Sequence, residues 1–333
     1  LRFLKDPATA SQHFARIAER SDNPTALARA GYWLGRPAEA SGRSMDARAA
    51  YQSAAAHSTS YYGQLARAKL GLPQIEINRA PGSGLRGIER FEIVRAVQLL
   101  YALNERDLAI PILADMGDNA GADVLAGLAE AASRNNDARG MLLLGKAALN
   151  RGLPFDVYAF PSTGLPHYRP IGPEVDPSVV FAIARQESGF NPKVVSPAQA
   201  YGLMQVTPSA AKYVTRKYGA SYDLGRLKND SVYNTTLGAA ELGGLLEDYR
   251  GSYIMSFAAY NAGRGSLRKW IARYGDPRDP SVDAVDWVER IPFSETRNYV
   301  QRIMENLQVY RARFGGGTRL QIEADLHRGS IVR

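Results

Sequence analysis

The stretch Asp176-Pro177-Ser178-Val179-Val180-Phe181-Ala182-Ile183-Ala184-Arg185-Gln186-Glu187-Ser188-Gly189 opens and closes like a helix. Asp176 is placed to cap the free backbone N–H groups of the first turn, and proline next to it already has the φ that the turn requires. Ser188-Gly189 supplies the stop, because glycine accepts the left-handed conformation in which helices commonly end. Val180 and Ile183 lie seven and four residues before Glu187, so the three share one face, which Val179 and Ala184 widen. A carboxyl therefore emerges at the end of an apolar stripe. Partial burial there disfavours its charged form, and the negative end of the helix dipole opposes an added negative charge. Both effects keep a proton on Glu187 near neutral pH, which is what a glycosidase-type general acid needs. The plain alternative is a helix-end glutamate paired with Arg185 or solvated.

Upstream of this helix, residues 153–174 carry Pro154, Pro161, Pro166, Pro170 and Pro173 and read as a linker. Residues 1–152 read as helix after helix, over 10–20, 24–35, 45–56, 60–70, 87–103, 106–116, 120–133 and 137–150. These helices are short, rich in Ala and Leu, and separated by Gly, Asn, Asp or Pro. Short helices in series point to an irregular α-solenoid, in which each hairpin buries its apolar face on its neighbours. Downstream, 175–318 is again helical but richer in Gly, Tyr and Asn, and 319–333 reads as a tail. The fold class is all-α, a solenoid followed by a second helical domain.

Composition narrows the chemistry. The 333 residues include 31 Gly and no Cys, so thiolate catalysis, disulfides and cysteine-based zinc sites are excluded. Only four His occur, and His167 has no neighbouring ligand pattern, so no metal site and no cofactor are expected. A phosphate loop of the Gly-Lys-Ser/Thr type is absent. The formal charge of +8 favours anionic partners such as acidic cell-wall polymer, but no nucleic-acid-binding signature accompanies it, and nucleic acid is not an expected partner. No run approaches the ~20 apolar residues of a membrane span. The first residues are Leu-Arg-Phe-Leu without Met, which leads us to expect a start inside a longer precursor.

Four blocks then carry a family resemblance, in order. They are Glu187-Ser188-Gly189-Phe190-Asn191-Pro192, Gly202-Leu203-Met204-Gln205-Val206-Thr207-Pro208, Ala259-Tyr260-Asn261-Ala262-Gly263 and Ile291-Pro292-Phe293-Ser294-Glu295-Thr296-Arg297-Asn298-Tyr299-Val300. Together they resemble the soluble lytic transglycosylase family. Thr59-Ser60-Tyr61-Tyr62-Gly63-Gln64-Leu65-Ala66 resembles the helical region that precedes its catalytic domain.

The resemblance implies a lysozyme-like, mainly α catalytic domain over 175–318, and a periplasmic enzyme acting on peptidoglycan glycan strands. The implied reaction cleaves the β-1,4 bond between N-acetylmuramic acid and N-acetylglucosamine without water and leaves a 1,6-anhydro ring. Glu187 would act first as acid and then as base. Ser196, Met204, Gln205, Tyr260, Asn261 and Tyr299 would bind substrate or support the acid: Ser196 near the acid and the acetamido group, Gln205 through its amide, Tyr299 through a hydroxyl close to Glu187. Gly202, Met204 and Gly263 would shape the groove. Two positions depart from the family pattern, Gln199 where Gly is usual and Arg264 where Pro is common. An ordinary glycosidase sets two carboxyl groups across the scissile bond. Here Glu241 falls in the helical run 237–246 and Glu295 in a Ser-Glu-Thr-Arg segment where capping is the simpler role, although either can face the cleft. The competing readings are a goose-type lysozyme-like hydrolase of the same bond and a non-catalytic cell-wall-binding scaffold. The solenoid is the candidate docking surface for cell-wall synthesis or remodelling proteins.

Overall fold

A computed structural model describes residues 6–78, 87, 90–317 and 319–330. Among these residues there is no β-strand, only isolated bridges such as Val195 with Tyr201. The chain divides into two compact units, one of Leu1–Gly164 with Gly315–Leu320, the other of Leu165–Phe314 with Gln321–Arg333.

The first unit holds α1 (Pro7–Arg20), α2 (Pro24–Ala40), α3 (Ser44–Ala55), α4 (Tyr61–Lys69), α5 (Glu92–Ala102), α6 (Arg106–Asn119), α7 (Ala122–Arg134), α8 (Ala138–Asn150) and the single turn α9 (Asp156–Ala159). Local chemistry starts several of them. Asp6 accepts from Thr9 N at 3.0 Å, Asn23 from Thr25 N at 3.0 Å, Ser60 from Gly63 N at 3.2 Å and Asp137 from Gly140 N at 3.1 Å. Each satisfies a donor that the helix itself leaves free. Tertiary packing then takes over: Val94, Val97, Leu113, Leu125, Leu128, Leu144 and Phe155 form a fully buried core. Between α2 and α3 the approach is so close that a Cβ on Gly35 would lie 2.3 Å from the Tyr51 ring.

The largest boundary differences from the sequence expectation fall in α2 and α5. Helix α2 does not stop at Gly35 but runs through Pro37 to Ala40. Proline this near the end removes only one intrahelical bond, Tyr32, Trp33, Pro37 and Ala38 are buried, and Ser41 N closes the last turn on Pro37 O at 3.0 Å. Helix α5 begins at Glu92, while 88 and 89, inside the expected helix, lie outside the described residues. The Pro-rich stretch 153–174 is divided between the units rather than spanning them as a free linker. Phe155, Ala159 and Phe160 are buried in the first, and the buried carboxylate of Asp156 accepts from Asn78 N at 2.8 Å. In the second, a Cβ on Gly243 would lie 2.3 Å from Pro173 O.

The second unit holds α10 (Pro177–Glu187), α11 (Pro208–Tyr218), α12 (Leu224–Asn229), α13 (Ser231–Asp248), α14 (Tyr253–Tyr274), α15 (Ala284–Glu289), α16 (Ser294–Arg313) and α17 (Ile322–Leu326). Helix α16 is central: α10 and α14 both pack on it, and its buried residues include Tyr299, Val300, Ile303, Met304, Leu307 and Tyr310. The stretch read as a tail contains α17, where Ile322 and Leu326 are buried and Asp325 pairs with Arg311.

Candidate active site

Asp176 caps α10 by accepting from Ser178 N at 2.7 Å, and Val179, Val180, Ala182, Ile183 and Ala184 are buried. That burial fixes the helix and leaves Glu187 as its last residue, half-buried. Beyond it Gly189 and Phe190 both take positive φ, 56° and 61°. For phenylalanine this conformation costs about 1–2 kcal/mol. Burial of its ring beside Phe181, with centroids 6.0 Å apart, offsets that cost. The chain thus turns sharply away from the carboxyl.

The carboxyl itself meets Tyr299, whose hydroxyl donates to Glu187 Oε1 at 2.6 Å. Arg185, the cation nearest in sequence, turns elsewhere and donates to Asn306 Oδ1 at 2.9 Å. Burial is the largest influence on the acid, and its pKa is pushed up from 4.5 to about 8. The Tyr299 hydrogen bond works in the other direction by favouring the ionised form, while the charges of Glu241 and Glu295 add to the rise. A proton therefore stays on Glu187 at neutral pH. Burial and the neighbouring carboxylates likewise hold the hydroxyls of Tyr299 and Tyr260 protonated.

Tyr260, on α14, donates to Met204 O at 2.8 Å. Met204 is fully buried, with a Cβ on Gly238 of α13 falling 2.4 Å from its own Cβ. Its side chain is thus packing, and its backbone is what supports Tyr260. Gln205 has φ 48° and turns its amide inward, donating to Gly202 O at 3.0 Å and Val194 O at 3.2 Å. The donor side of the amide thus holds the loop, leaving the oxygen as an acceptor. Ser196 closes the same loop, its Oγ accepting from Ala200 N at 3.0 Å. Asn261 Oδ1 accepts from Thr296 Oγ1 at 2.6 Å, which ties α14 to α16 one turn before Tyr299. The structure thus gathers Glu187, Tyr299, Tyr260 and Met204. Ser196 and Gln205 belong to the 194–206 loop.

Several working residues lie outside the expected set. Asn234 of α13 reads the loop backbone, accepting from Met204 N at 3.0 Å and donating to Tyr201 O at 2.7 Å. Thr296, Gly238 and Glu241 are the others. Asn234, Gly238 and Glu241 recur at spacings of four and three, one helix face, and that was the available signal. Glu295 does not cap: the residue preceding α16 is Phe293, which makes no side-chain cap bond, and Glu295 is exposed in the first turn. Both departures from the family pattern have a structural setting. Gln199 sits at φ 58°, where glycine is unstrained, and its Oε1 accepts from the Tyr201 hydroxyl. Arg264 follows Gly263, whose φ of 81° kinks α14, and pairs with Asp248 at 2.8 Å. No group of three or more metal-ligating side chains exists among the described residues.

Residues 171–281 match the family described as transglycosylase SLT domain, and 290–318 match the soluble lytic transglycosylase helical domain. In these segments the chain is similar to soluble lytic transglycosylases. Soluble lytic murein transglycosylase of Escherichia coli is 39% identical over 141 residues, 42% of this chain and 21% of that protein. The Salmonella typhimurium protein of the same name is 35% identical over 159 residues, 47% of this chain and 24% of its own. The crystal structure of the 70 kDa soluble lytic transglycosylase from Escherichia coli superposes with a TM-score of 0.73 at 27% identity, over 92% of this chain and 48% of that one. A second structure, of the 70 kDa enzyme in complex with bulgecin A, gives 0.71 at 26% identity over 95% and 50%. This chain therefore spans about half the length of those solved structures and about a fifth of the curated relatives aligned by sequence. The all-α architecture matches that of the 70 kDa enzyme, superhelical with a lysozyme-like domain. No helix among the described residues is long and apolar enough to cross a membrane.

Proposed function

We propose that residues 175–318 form a catalytic domain that cleaves the β-1,4 bond between N-acetylmuramic acid and N-acetylglucosamine in peptidoglycan without consuming water. The observation that carries this reading is the protonated Glu187 carboxyl, held by burial and by one hydrogen bond from Tyr299. Glu187 gives its proton to the departing glycosidic oxygen as the bond to the anomeric carbon breaks. The carboxylate so formed keeps the Tyr299 hydrogen bond, which is worth about 1.5–3 kcal/mol to a charged group. The substrate's acetamido group supports the anomeric carbon meanwhile. Glu187 then takes the proton of the C6 hydroxyl, whose oxygen bonds to the anomeric carbon and closes the 1,6-anhydro ring. The proton lost in the first step is regained in the second.

Tyr260 and Asn261 would flank the glycan, Ser196 and the Gln205 oxygen would contact it from the 194–206 loop, and Met204 would act through its backbone. We place the activity in the periplasm, with the first unit as a docking surface for cell-wall proteins. The hydrolytic alternative gains one argument, since Glu241 supplies a second carboxyl that could activate water. Mass spectrometry of the products from purified sacculi decides between them. Anhydro ends that vanish with Glu187→Gln are expected; reducing ends would overturn the water-free reaction, and undiminished release by Glu187→Gln would overturn the site.

A further inference from the structure

Glu241 lies on α13 three residues after Gly238, and Gly238 faces the centre of the site. A Cβ there would sit 2.4 Å from Met204 Cβ and 3.2 Å from the Tyr260 hydroxyl. Residues three apart share a helix face, and helical side chains lean toward the N-terminus. The Glu241 side chain is therefore carried back over the turn that glycine leaves bare, toward Tyr260. The cation acting on it, Arg264, is paired with Asp248 at 2.8 Å. Burial pushes the Glu241 carboxyl up to about 7, close to the value of Glu187.

The groups acting on Glu187 come from three helices. From α16 come the Tyr299 hydroxyl, which donates to it, and Glu295, which is exposed and hence screened by salt. From α14 comes Tyr260, uncharged at working pH and itself influenced by both carboxyls. From α13 comes Glu241, half-buried and little screened.

We propose that Glu241 is a positioning residue for the catalytic proton: its carboxylate, facing Glu187 from α13, holds that proton in place and makes the ionised Glu187 a stronger base for the second step. This rests on the lytic transglycosylase reading for its meaning in catalysis. The coupling itself does not, because two like charges in a poorly solvated site cannot both form freely, whatever the substrate.

The test is a carbon-13 NMR titration of the Glu187 carboxyl in the full chain, with Glu241→Gln and Glu295→Gln beside the wild type. In the wild type the Glu187 signal should move in two steps, the lesser one at the titration of Glu241. Glu241→Gln should remove that step and lower the midpoint, while Glu295→Gln should shift it less and lose its effect at high salt. The alkaline limb of kcat/KM on sacculi should move to lower pH in Glu241→Gln, with thermal melts verifying the fold. A one-step wild-type curve, or a midpoint unmoved by Glu241→Gln, overturns the proposal. The titration needs no turnover, so inactivity toward sacculi would strike the proposed function and leave this inference standing. An inert Glu187→Gln together with an unmoved titration would strike this inference alone.

Discussion

Glu187→Gln should abolish turnover and at the same time stabilise the folded chain, and the second effect is the sharper test. In the unfolded chain the carboxyl ionises near 4.5; in the folded chain it holds its proton to about 8. A folded-state pKa above the unfolded one contributes stability that is complete below pH 4.5 and declines as pH rises through about 8. Glutamine keeps the shape and can accept the Tyr299 hydrogen bond, but it has no ionised form to gain on unfolding. At ~1.4 kcal/mol per pH unit the ceiling is roughly 4–5 kcal/mol. The carboxyl is only half-buried, so water and relaxation reduce this, and we expect roughly 1–3 kcal/mol at pH 8. For a unit of this size that raises the Tm by on the order of 5 °C. Melts of both proteins from pH 4.5 to 8.5 should coincide at the acid end and separate steadily upward. Initial rates on sacculi should fall by roughly 10²–10⁴-fold. Curves that stay parallel at every pH would refute burial as the cause of the retained proton, and a variant keeping substantial turnover would refute its catalytic use.

Tyr299→Phe removes the interaction that favours ionised Glu187, so the alkaline limb of activity should move to higher pH, opposite to Glu241→Gln. Turnover should drop roughly tenfold or more, with little change in Tm, in parallel melts and initial rates. Gly238→Ala places a methyl group 2.4 Å from Met204 Cβ, and calorimetry should show a loss of about 1–3 kcal/mol. Gln199→Gly relieves a left-handed residue but loses the Tyr201 hydrogen bond, so its Tm should stay within ~4 °C, whereas Gln199→Val loses the bond and keeps the strain and should melt clearly lower.

The fold was legible where local signals were strong. Asp176-Pro177 and the apolar face behind Glu187 specify α10, because cap, proline and periodicity agree. What the sequence misplaced depends on partners distant in the chain. The helix read over 24–35 runs on to Ala40, with Tyr32, Trp33 and Pro37 buried. The prolines of 153–174 read as a spacer, yet Phe155 and Phe160 are core residues of one unit, while Gly243 of the other allows Pro173 to approach. Residues 315–317 and 319–320 belong to the first unit, and Arg319 bridges Gln74, which nothing local announces.

The site shows the same division between local and distant signals. Periodicity and the helix end point to a raised pKa for Glu187, and the structure gives the same direction with burial as the main cause. The resemblance brought attention to Tyr260, Asn261 and Tyr299 and implied a Tyr299 hydroxyl close to Glu187, but it gave no partner for Tyr260 or Asn261. Those contacts join α10 to α16, α14 to the 194–206 loop and α14 to α16. Asn234 and Glu241 were harder to see, because their importance lies in the face of α13 that meets the loop, and α13 is buried along most of its length. A helix buried on several sides has no single apolar stripe from which an inward polar residue would stand out. An acidic residue there reads as ordinary helix composition until its neighbours are known. The second carboxyl was therefore hidden by its surroundings rather than by its chemistry. Its burial and its electrostatic influence on Glu187 give physical grounds for expecting the two groups to titrate as a pair.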